Sequence, residues 1–160
     1  MTPGEAQPSV DGSDPWLTED ERRTWMALHR VSVLLPNELD RQLREDFSLS
    51  FIEYYVLVMM SEQADRTVRM SRLAFLVNSE LSRLSHLIGR LERRGLVRRA
   101  QDPTDGRCTI AILTEAGLTH LQAAAPAHVR AVRRLVFDVL DSGQQHAMRD
   151  ALDVIASNLS

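Results

Sequence analysis

Hydrogen-bonding and cationic side chains recur at helical spacing near the middle of this 160-residue chain. At about 100° of rotation per residue they share one side of a predicted helix, and the opposite side is apolar. Hydroxyl, imidazole and guanidinium groups on one face could bind the base edges and phosphates of a nucleic acid. The same face is also consistent with an ordinary solvated helix surface. The polar side comprises Ser82, His86, Arg90 and Arg93, flanked by Ser79 and Arg83, and the apolar side comprises Leu81, Leu84, Ile88 and Leu91.

The ends of this helix are predicted from residue type. Ser79 can cap the start, and Gly95 can end the helix in a left-handed turn. Gly89 lies on the polar side, where the absence of a side chain would let another molecule approach closely. A shorter helix capped by Ser71 precedes it, so the two would form a helix-turn-helix whose second member is the reading helix.

A short β-hairpin is predicted directly after the reading helix. Residues 96–100 and 109–113 have strand character, and residues 102–107 between them are dense in turn formers. We expect Arg107 at the hairpin tip, with Asp105 orienting its guanidinium through charge-assisted hydrogen bonds. A turn with incidental charges is the alternative. A helix suited to the major groove and a tip arginine suited to the minor groove together describe a winged helix.

Four motifs that include these elements occur in a set order along the chain. They are Met70-Ser71-Arg72-Leu73-Ala74, Leu91-Glu92-Arg93-Arg94-Gly95-Leu96-Val97-Arg98-Arg99, Asp105-Gly106-Arg107 and Leu113-Thr114-Glu115-Ala116-Gly117. The ordered set resembles the MarR family of bacterial transcription regulators, from about Leu17 to the C-terminus. The resemblance implies a homodimer that binds a pseudo-palindromic operator in double-stranded DNA. It also implies a regulator, most simply a repressor, that a small effector releases from DNA.

The predicted fold class is mainly α with a small β-hairpin wing, a winged helix-turn-helix domain with N- and C-terminal dimerisation helices. The predicted order is helix, helix, strand, helix, helix, strand, strand, helix, helix. Helix caps are expected at Thr18, Ser50, Thr114 and Ser142, in addition to those above. Pro36 is expected to kink or break the first helix, and Pro126 to bend the fifth. The predicted domains are a disordered leader (1–16), an N-terminal dimerisation helix (17–48), the DNA-binding lobe (49–113) and C-terminal dimerisation helices (114–160).

Positive charge is concentrated in the segment proposed to meet DNA. The chain has a formal net charge of −3, yet residues 66–107 hold ten arginines and four acids, a net charge of +6. Residues 1–65 and 108–160 have net charges of −8 and −1. This asymmetry is the electrostatic pattern of a nucleic-acid-binding surface. The candidate DNA-binding residues are Arg69, Ser71, Ser79, Ser82, Arg83, His86, Arg90, Arg98, Asp105 and Arg107.

A possible effector site is predicted from aromatic and cationic residues near the expected dimer helices. In the resembled family, the effector pocket lies where the first, second and fifth helices meet the DNA-binding lobe. An aromatic wall with a cation would suit a phenolic or carboxylate ligand. Plain core and dimer packing is the alternative. The candidate residues are Trp25, His29, Arg30, Tyr54 and Tyr55.

Other functional classes have little support in the sequence. The five histidines lack metal-ligand spacing, and no phosphate-binding glycine loop or nucleophile elbow occurs, so neither catalysis nor a cofactor is expected. No apolar run reaches the roughly 18 residues that span a bilayer, and no secretion signal is visible, which predicts a cytoplasmic protein. Cys108 is expected to pack in a strand without a redox role. The alternative is that Cys108 makes the protein a redox-responsive regulator. A ligand-binding scaffold without DNA binding is a further alternative, which the +6 segment disfavours.

Overall fold

The computed structural model describes residues 15–159, so most of the expected leader lies outside the described residues. The described residues form two compact units, divided between Leu34 and Leu35. None of the helices in this part of the chain is long and apolar enough to cross a membrane.

Within residues 15–159, six α-helices and three strands follow one another in the predicted order, which confirms the fold class. The helices are α1 (Glu19–Phe47), α2 (Phe51–Ser61), α3 (Met70–Leu76), α4 (Leu81–Arg93), α5 (Glu115–Val132) and α6 (Ser142–Asn158), and the strands are β1 (Thr67–Arg69), β2 (Val97–Asp102) and β3 (Asp105–Leu113). A 3₁₀ turn, Ala64–Arg66, precedes β1, and a π-helical turn, Arg133–Phe137, follows α5.

The three strands form one antiparallel sheet in the order β1-β3-β2. Val68 pairs with Ala111, and Arg98 pairs with Ile112, so β3 is the central strand. The hairpin of β2 and β3, residues 97–113, is the wing. A register shift between Gln101 and Asp102 interrupts the ladder near its end.

The core of the lobe lies between α2, α3, α4 and the sheet. Its fully buried side chains include Leu57, Leu73, Leu84, Ile88, Leu91 and Val97. Gly117 near the start of α5 is part of this packing, since a Cβ there would lie 2.1 Å from the carbonyl oxygen of Leu96. Only a glycine lets the two backbones approach so closely.

Helix caps formed where a side chain could reach the third backbone N–H of the helix. Ser50 and Glu53 form a full capping box, with hydrogen bonds of 3.2 and 2.9 Å between side chain and backbone. Thr18 and Thr114 cap as predicted, accepting from the backbone N–H groups of Glu21 and Gly117.

Three predicted caps were wrong by one or two residues. Asp141, not Ser142, caps α6 and forms a box with Gln144, since its carboxylate is one position earlier and reaches the Gln144 N–H. Ser71 lies inside the first turn of α3, whose N-cap is Arg69. Glu80, not Ser79, occupies the N-cap of α4, and neither of these two helices has a side-chain cap.

The two helix-interior prolines do not end their helices. Helix α1 continues through Pro36, which contradicts the predicted break but leaves a kink untested. Helix α5 likewise continues through Pro126 and gives way to the π-helical turn only after Val132.

Candidate nucleic-acid interface

Helix α4 has one buried side and one polar side that the protein leaves uncovered. Ser82, Arg83 and His86 are exposed, as the sequence predicted. The buried stripe consists of Leu84, Leu87, Ile88 and Leu91, none more than 6% exposed. Leu81 was wrongly assigned to this stripe, because it lies in the first turn, beyond the part of the helix that the core covers, and is 51% exposed.

A buried carboxylate of α2 anchors the C-terminal half of α4. Glu53, 7% exposed, accepts a hydrogen bond from Arg90 Nε at 3.1 Å, and Arg94 lies 3.9 Å from its other oxygen. Burial alone would raise the pKa of Glu53, but hydrogen bonds from Ser50 and Arg90 lower it overall. The structure therefore places Arg90 in an ion pair that positions the reading helix, while its predicted contact with DNA stays a prediction.

The wing turns more tightly than the sequence suggested. Only Pro103 and Thr104 form the turn, since Asp102 pairs with Asp105 across the strands. Arg107 therefore lies on β3 rather than at the tip, and its side chain is exposed. Gly106 does not adopt a left-handed conformation, so the turn does not depend on it.

Asp105 holds the backbone of Arg107 rather than its guanidinium. Asp105 Oδ1 accepts from the Arg107 backbone N–H at 3.2 Å, and Oδ2 accepts from Cys108 Sγ at 3.4 Å. Among the described residues no carboxylate pairs with the Arg107 side chain, so the proposed orientation of the guanidinium by Asp105 was wrong. That side chain and its charge remain available for another molecule.

The tip of the wing is tied to the start of α3. Arg69 Nε donates to Asp102 Oδ2 at 2.6 Å, and Thr104 donates to Asp102 Oδ1 from its backbone N–H and its hydroxyl, at 2.8 and 2.6 Å. The hydrogen bonds from Thr104, followed by that from Arg69, lower the pKa of Asp102 to about 2. Arg69, predicted as a DNA contact, thus has a positioning contact inside the protein.

Half of the ten arginines between residues 66 and 107 are paired with acids. The pairs are Arg66 with Glu115, Arg69 with Asp102, Arg90 and Arg94 with Glu53, and Arg99 with Glu92. Arg83, Arg93, Arg98 and Arg107 make no ion pair within residues 15–159, and Arg72 lies over the Phe75 ring at 5.1 Å. The unpaired cations lie on α3, α4 and the wing. Arg72 and Arg93 were absent from the predicted set, although their helical positions could have indicated them.

The candidate effector residues do not all share one environment. Trp25 and His29 stack on α1 with ring centroids 6.2 Å apart, and Arg30 beside them is exposed. These three belong to the unit that ends at Leu34, whereas the two tyrosines belong to the other. Tyr54 is buried and Tyr55 is 38% exposed, as expected for adjacent residues of one helix.

His128 of α5 is a residue that the sequence reading did not single out. Its ring lies 4.4 Å from that of Tyr54 and 6.0 Å from that of Phe51. Burial lowers the pKa of His128, and its buried Nδ1 has no hydrogen-bond partner within the described chain. Only the contact between α2 and α5 could reveal this, because no motif surrounds the histidine.

Cys108 is half-buried and faces a carboxylate. The hydrogen bond to Asp105 and burial raise the pKa of its thiol. A thiolate is therefore disfavoured, and since the thiolate is the reactive form, this environment gives no support to redox sensing.

A helix-turn-helix whose second helix exposes polar side chains, followed by a hairpin with an unpaired arginine, defines a winged-helix DNA-binding protein. The model of the winged helix DNA-binding domain family matches residues 52–117. Comparison with solved structures identifies Sco3205, a MarR family transcriptional regulator from Streptomyces coelicolor in complex with DNA. It is 40% identical, with a TM-score of 0.86, over 91% of this chain and 94% of that chain.

Two further relatives cover most of the chain. The HTH-type transcriptional repressor IacR of Pseudomonas putida is 26% identical over 92% of this chain and 84% of its own length. CouR from Rhodococcus jostii RHA1, in a structure bound to p-coumaroyl-CoA, is 30% identical with a TM-score of 0.71, over 83% of this chain and 91% of that chain. The chain belongs to the MarR family and is a DNA-binding transcriptional regulator.

Proposed function

We propose that this regulator is a homodimeric repressor that binds a pseudo-palindromic operator. Each α4 enters a major groove, and Arg107 of each wing enters the adjoining minor groove. The observation that carries this proposal is that, of the ten arginines between residues 66 and 107, the five without an acidic partner in the described chain lie on α3, α4 and the wing.

The exposed residues of α4 and the wing divide into two chemical roles. Ser82 and His86 can exchange hydrogen bonds with base edges, which is how sequence is read in the major groove. Arg83 and Arg98 are unpaired and exposed, as expected of residues that bind phosphates and contribute affinity on any sequence. Ser71 and Ser79, on α3 and in the turn before α4, are also retained as candidate contacts.

Dimerisation is supported by apolar surface at both ends of the chain. Helix α6 has no buried residue along its 17 residues, although Leu152 and Ile155 repeat at helical spacing. In the first unit, Trp25, Met26 and Val31 are all more than half exposed. Leu121 of α5, by contrast, packs in the core at 6% exposure. A second copy would cover these faces and hold two reading helices on one side of a duplex.

The proposed regulation is release of the repressor from DNA when it binds an organic acid. One relative is a transcriptional repressor, and another is bound to p-coumaroyl-CoA. Both support a ligand-responsive repressor. Within this chain, the Trp25–His29 stack with Arg30 offers aromatic and cationic groups, and Tyr54 with His128 offers a partly apolar aromatic pair with an unpaired nitrogen. A ligand that binds the DNA-incompetent arrangement more tightly would shift the population away from DNA.

Fluorescence anisotropy with two duplexes tests the DNA-binding mode. The first duplex is an operator selected by the protein from a randomised pool, and the second is its scrambled sequence. We expect tighter binding to the operator and weakening of both with salt. Arg83→Ala should weaken binding to both duplexes and reduce the salt slope by about one. Arg41→Ala on α1, which removes the same charge at an exposed site outside the proposed DNA-binding surface, is the matched control and should change neither. Equal affinity of the wild type for the two duplexes would contradict a sequence-specific repressor.

A further inference from the structure

A groove of about 330 Å³ separates the wing from α3 and α4. Hydroxyl and guanidinium groups border it, together with one exposed leucine of the reading helix. The residues that border it include Ser71, Leu81, Ser85, Arg99 and Arg107. The groove therefore combines the hydrogen-bonding and cationic groups of a DNA-binding surface with an apolar side chain.

Leu81 differs from every other leucine of α4. Leu84, Leu87 and Leu91 are between 0 and 6% exposed, whereas Leu81 is 51% exposed. A single exposed leucine is common on protein surfaces and indicates nothing by itself. The position of Leu81 is informative because it precedes Ser82 in the first turn of the helix that reads DNA, and the first turn of a reading helix contacts base edges.

The major groove offers one kind of apolar group, the 5-methyl group of thymine. Serine, histidine and arginine recognise donors and acceptors, so none of the polar residues nearby can select for that methyl group. A branched aliphatic side chain can, because burying a methyl group between apolar atoms removes it from water. Arg83, an exposed cation two residues further along the helix and assigned above to phosphates, would hold the backbone and keep the base edge near Leu81.

We propose that Leu81 is a specificity-determining residue that contacts the 5-methyl group of a thymine in each operator half-site. The proposal deepens the DNA-binding function and rests on it. It assigns Leu81 to preference for T·A at one position, separate from the hydrogen-bond reading by Ser82 and His86.

Deoxyuridine substitution tests the contact directly, since uracil pairs like thymine and lacks only the methyl group. In the operator selected from a randomised pool, each thymine beneath α4 is replaced in turn, and Kd is measured by anisotropy. For the wild type, one replacement per half-site should weaken binding about fourfold, the value of one buried methyl group. Leu81→Met, which keeps an apolar end, should retain most of this sensitivity. Leu81→Ala and Leu81→Gln should bind thymine and uracil duplexes equally.

The outcomes separate the possible explanations. The assignment would be overturned if no replacement changed the Kd of the wild type. It would also be overturned if Leu81→Ala and Leu81→Gln still bound the uracil duplex fourfold more weakly than the thymine duplex. Failure of the wild type to prefer the operator over its scrambled sequence would instead contradict sequence-specific binding itself. Sedimentation without DNA provides a further check: a change in association state for Leu81→Gln would mean that a second copy of the chain covers Leu81, which also overturns the proposal. Thermal unfolding should give similar Tm values for the variants, because Leu81 lies outside the core.

Discussion

Arg69 Nε lies 2.6 Å from the carboxylate of Asp102, which joins the residue before α3 to the end of the wing strand β2. The carboxylate is buried at 6% exposure, and Thr104 saturates its second oxygen. The helix-turn-helix and the wing thus share an ionic contact that is buried on its carboxylate side. This contact fixes the wing relative to α3 before DNA arrives, which reduces the ordering required on binding.

The stability contributed by this contact should depend on pH in the acidic range only. The folded-state pKa of Asp102 is depressed to about 2 from an ordinary value of 3.8. Its contribution is therefore fully present above about pH 4 and is lost as the pH falls towards 2. Denaturant unfolding should show Asp102→Asn less stable than wild type at pH 7, with a difference that narrows between about pH 4 and 2. Gln101→Ala, an exposed uncharged position on the same strand, is the control, and its stability difference from wild type should not vary over this pH range.

Arg107→Ala should weaken operator binding by more than about tenfold and leave the dimer and fold intact, because its exposed guanidinium has no partner in the described protein. Replacing A·T pairs beneath the wing with G·C pairs widens the minor groove. This change should weaken operator binding by the wild type, and it should weaken binding by Arg107→Ala much less. Equal losses for the two proteins, measured by anisotropy, would show that Arg107 does not read the minor groove.

Asp105→Ala should reduce operator affinity less than Arg107→Ala. The carboxylate holds the backbone N–H of Arg107 at 3.2 Å, so its removal loosens the strand but leaves the cation in place. Asp105→Asn retains an acceptor oxygen and is the matched control, with affinity between that of Asp105→Ala and wild type. A loss for Asp105→Ala as large as that for Arg107→Ala would assign Asp105 a larger role than support of the strand.

Ser82→Ala and His86→Ala should each cost about 1–3 kcal/mol on the operator and relax base preference locally. Both side chains are exposed on α4, so neither change should disturb the core. Anisotropy with operator and random duplexes separates specificity from affinity. Equal losses on both duplexes for His86→Ala would refute its assignment as a base-reading residue.

The exposed face of α6 should make the chain a dimer in solution. Sedimentation at micromolar concentration should give about twice the chain mass of 18.1 kDa. Leu152→Glu should shift the population towards monomer by placing a charge in the interface. Val154→Glu, on the opposite side of the same helix, is the control and should do so less. A wild-type monomer under these conditions would contradict the dimeric repressor, since one winged helix cannot span two half-sites.

A phenolic carboxylate should weaken operator binding and quench the fluorescence of Trp25 if the Trp25, His29 and Arg30 group binds the effector. Trp16→Phe isolates the Trp25 signal. His29→Ala should reduce the response to the ligand without changing DNA affinity in its absence. Unchanged emission and unchanged DNA affinity across a panel of such acids would remove these residues from the effector site.

The sequence was sufficient for features that depend on neighbours along the chain. Helical periodicity separated the polar face of α4 from the stripe containing Leu84, Ile88 and Leu91, because burial on a helix repeats every three or four residues. The capping box at Ser50 and the left-handed Gly95 followed from local backbone chemistry. The order of helices and strands could be predicted for the same reason.

Only the tertiary structure decided which cations pair with acids inside the protein. Arg90 and Arg83 look alike in the sequence, yet Arg90 is paired with Glu53, 37 positions away, while Arg83 is free of ion pairs in the described chain. Arg69 likewise meets Asp102, 33 positions away. The pairing register of β2 and β3 places Arg107 on a strand, whereas the sequence predicted it at the hairpin tip. Such roles depend on contacts between segments distant in sequence, and neither charge nor periodicity along the chain specifies them.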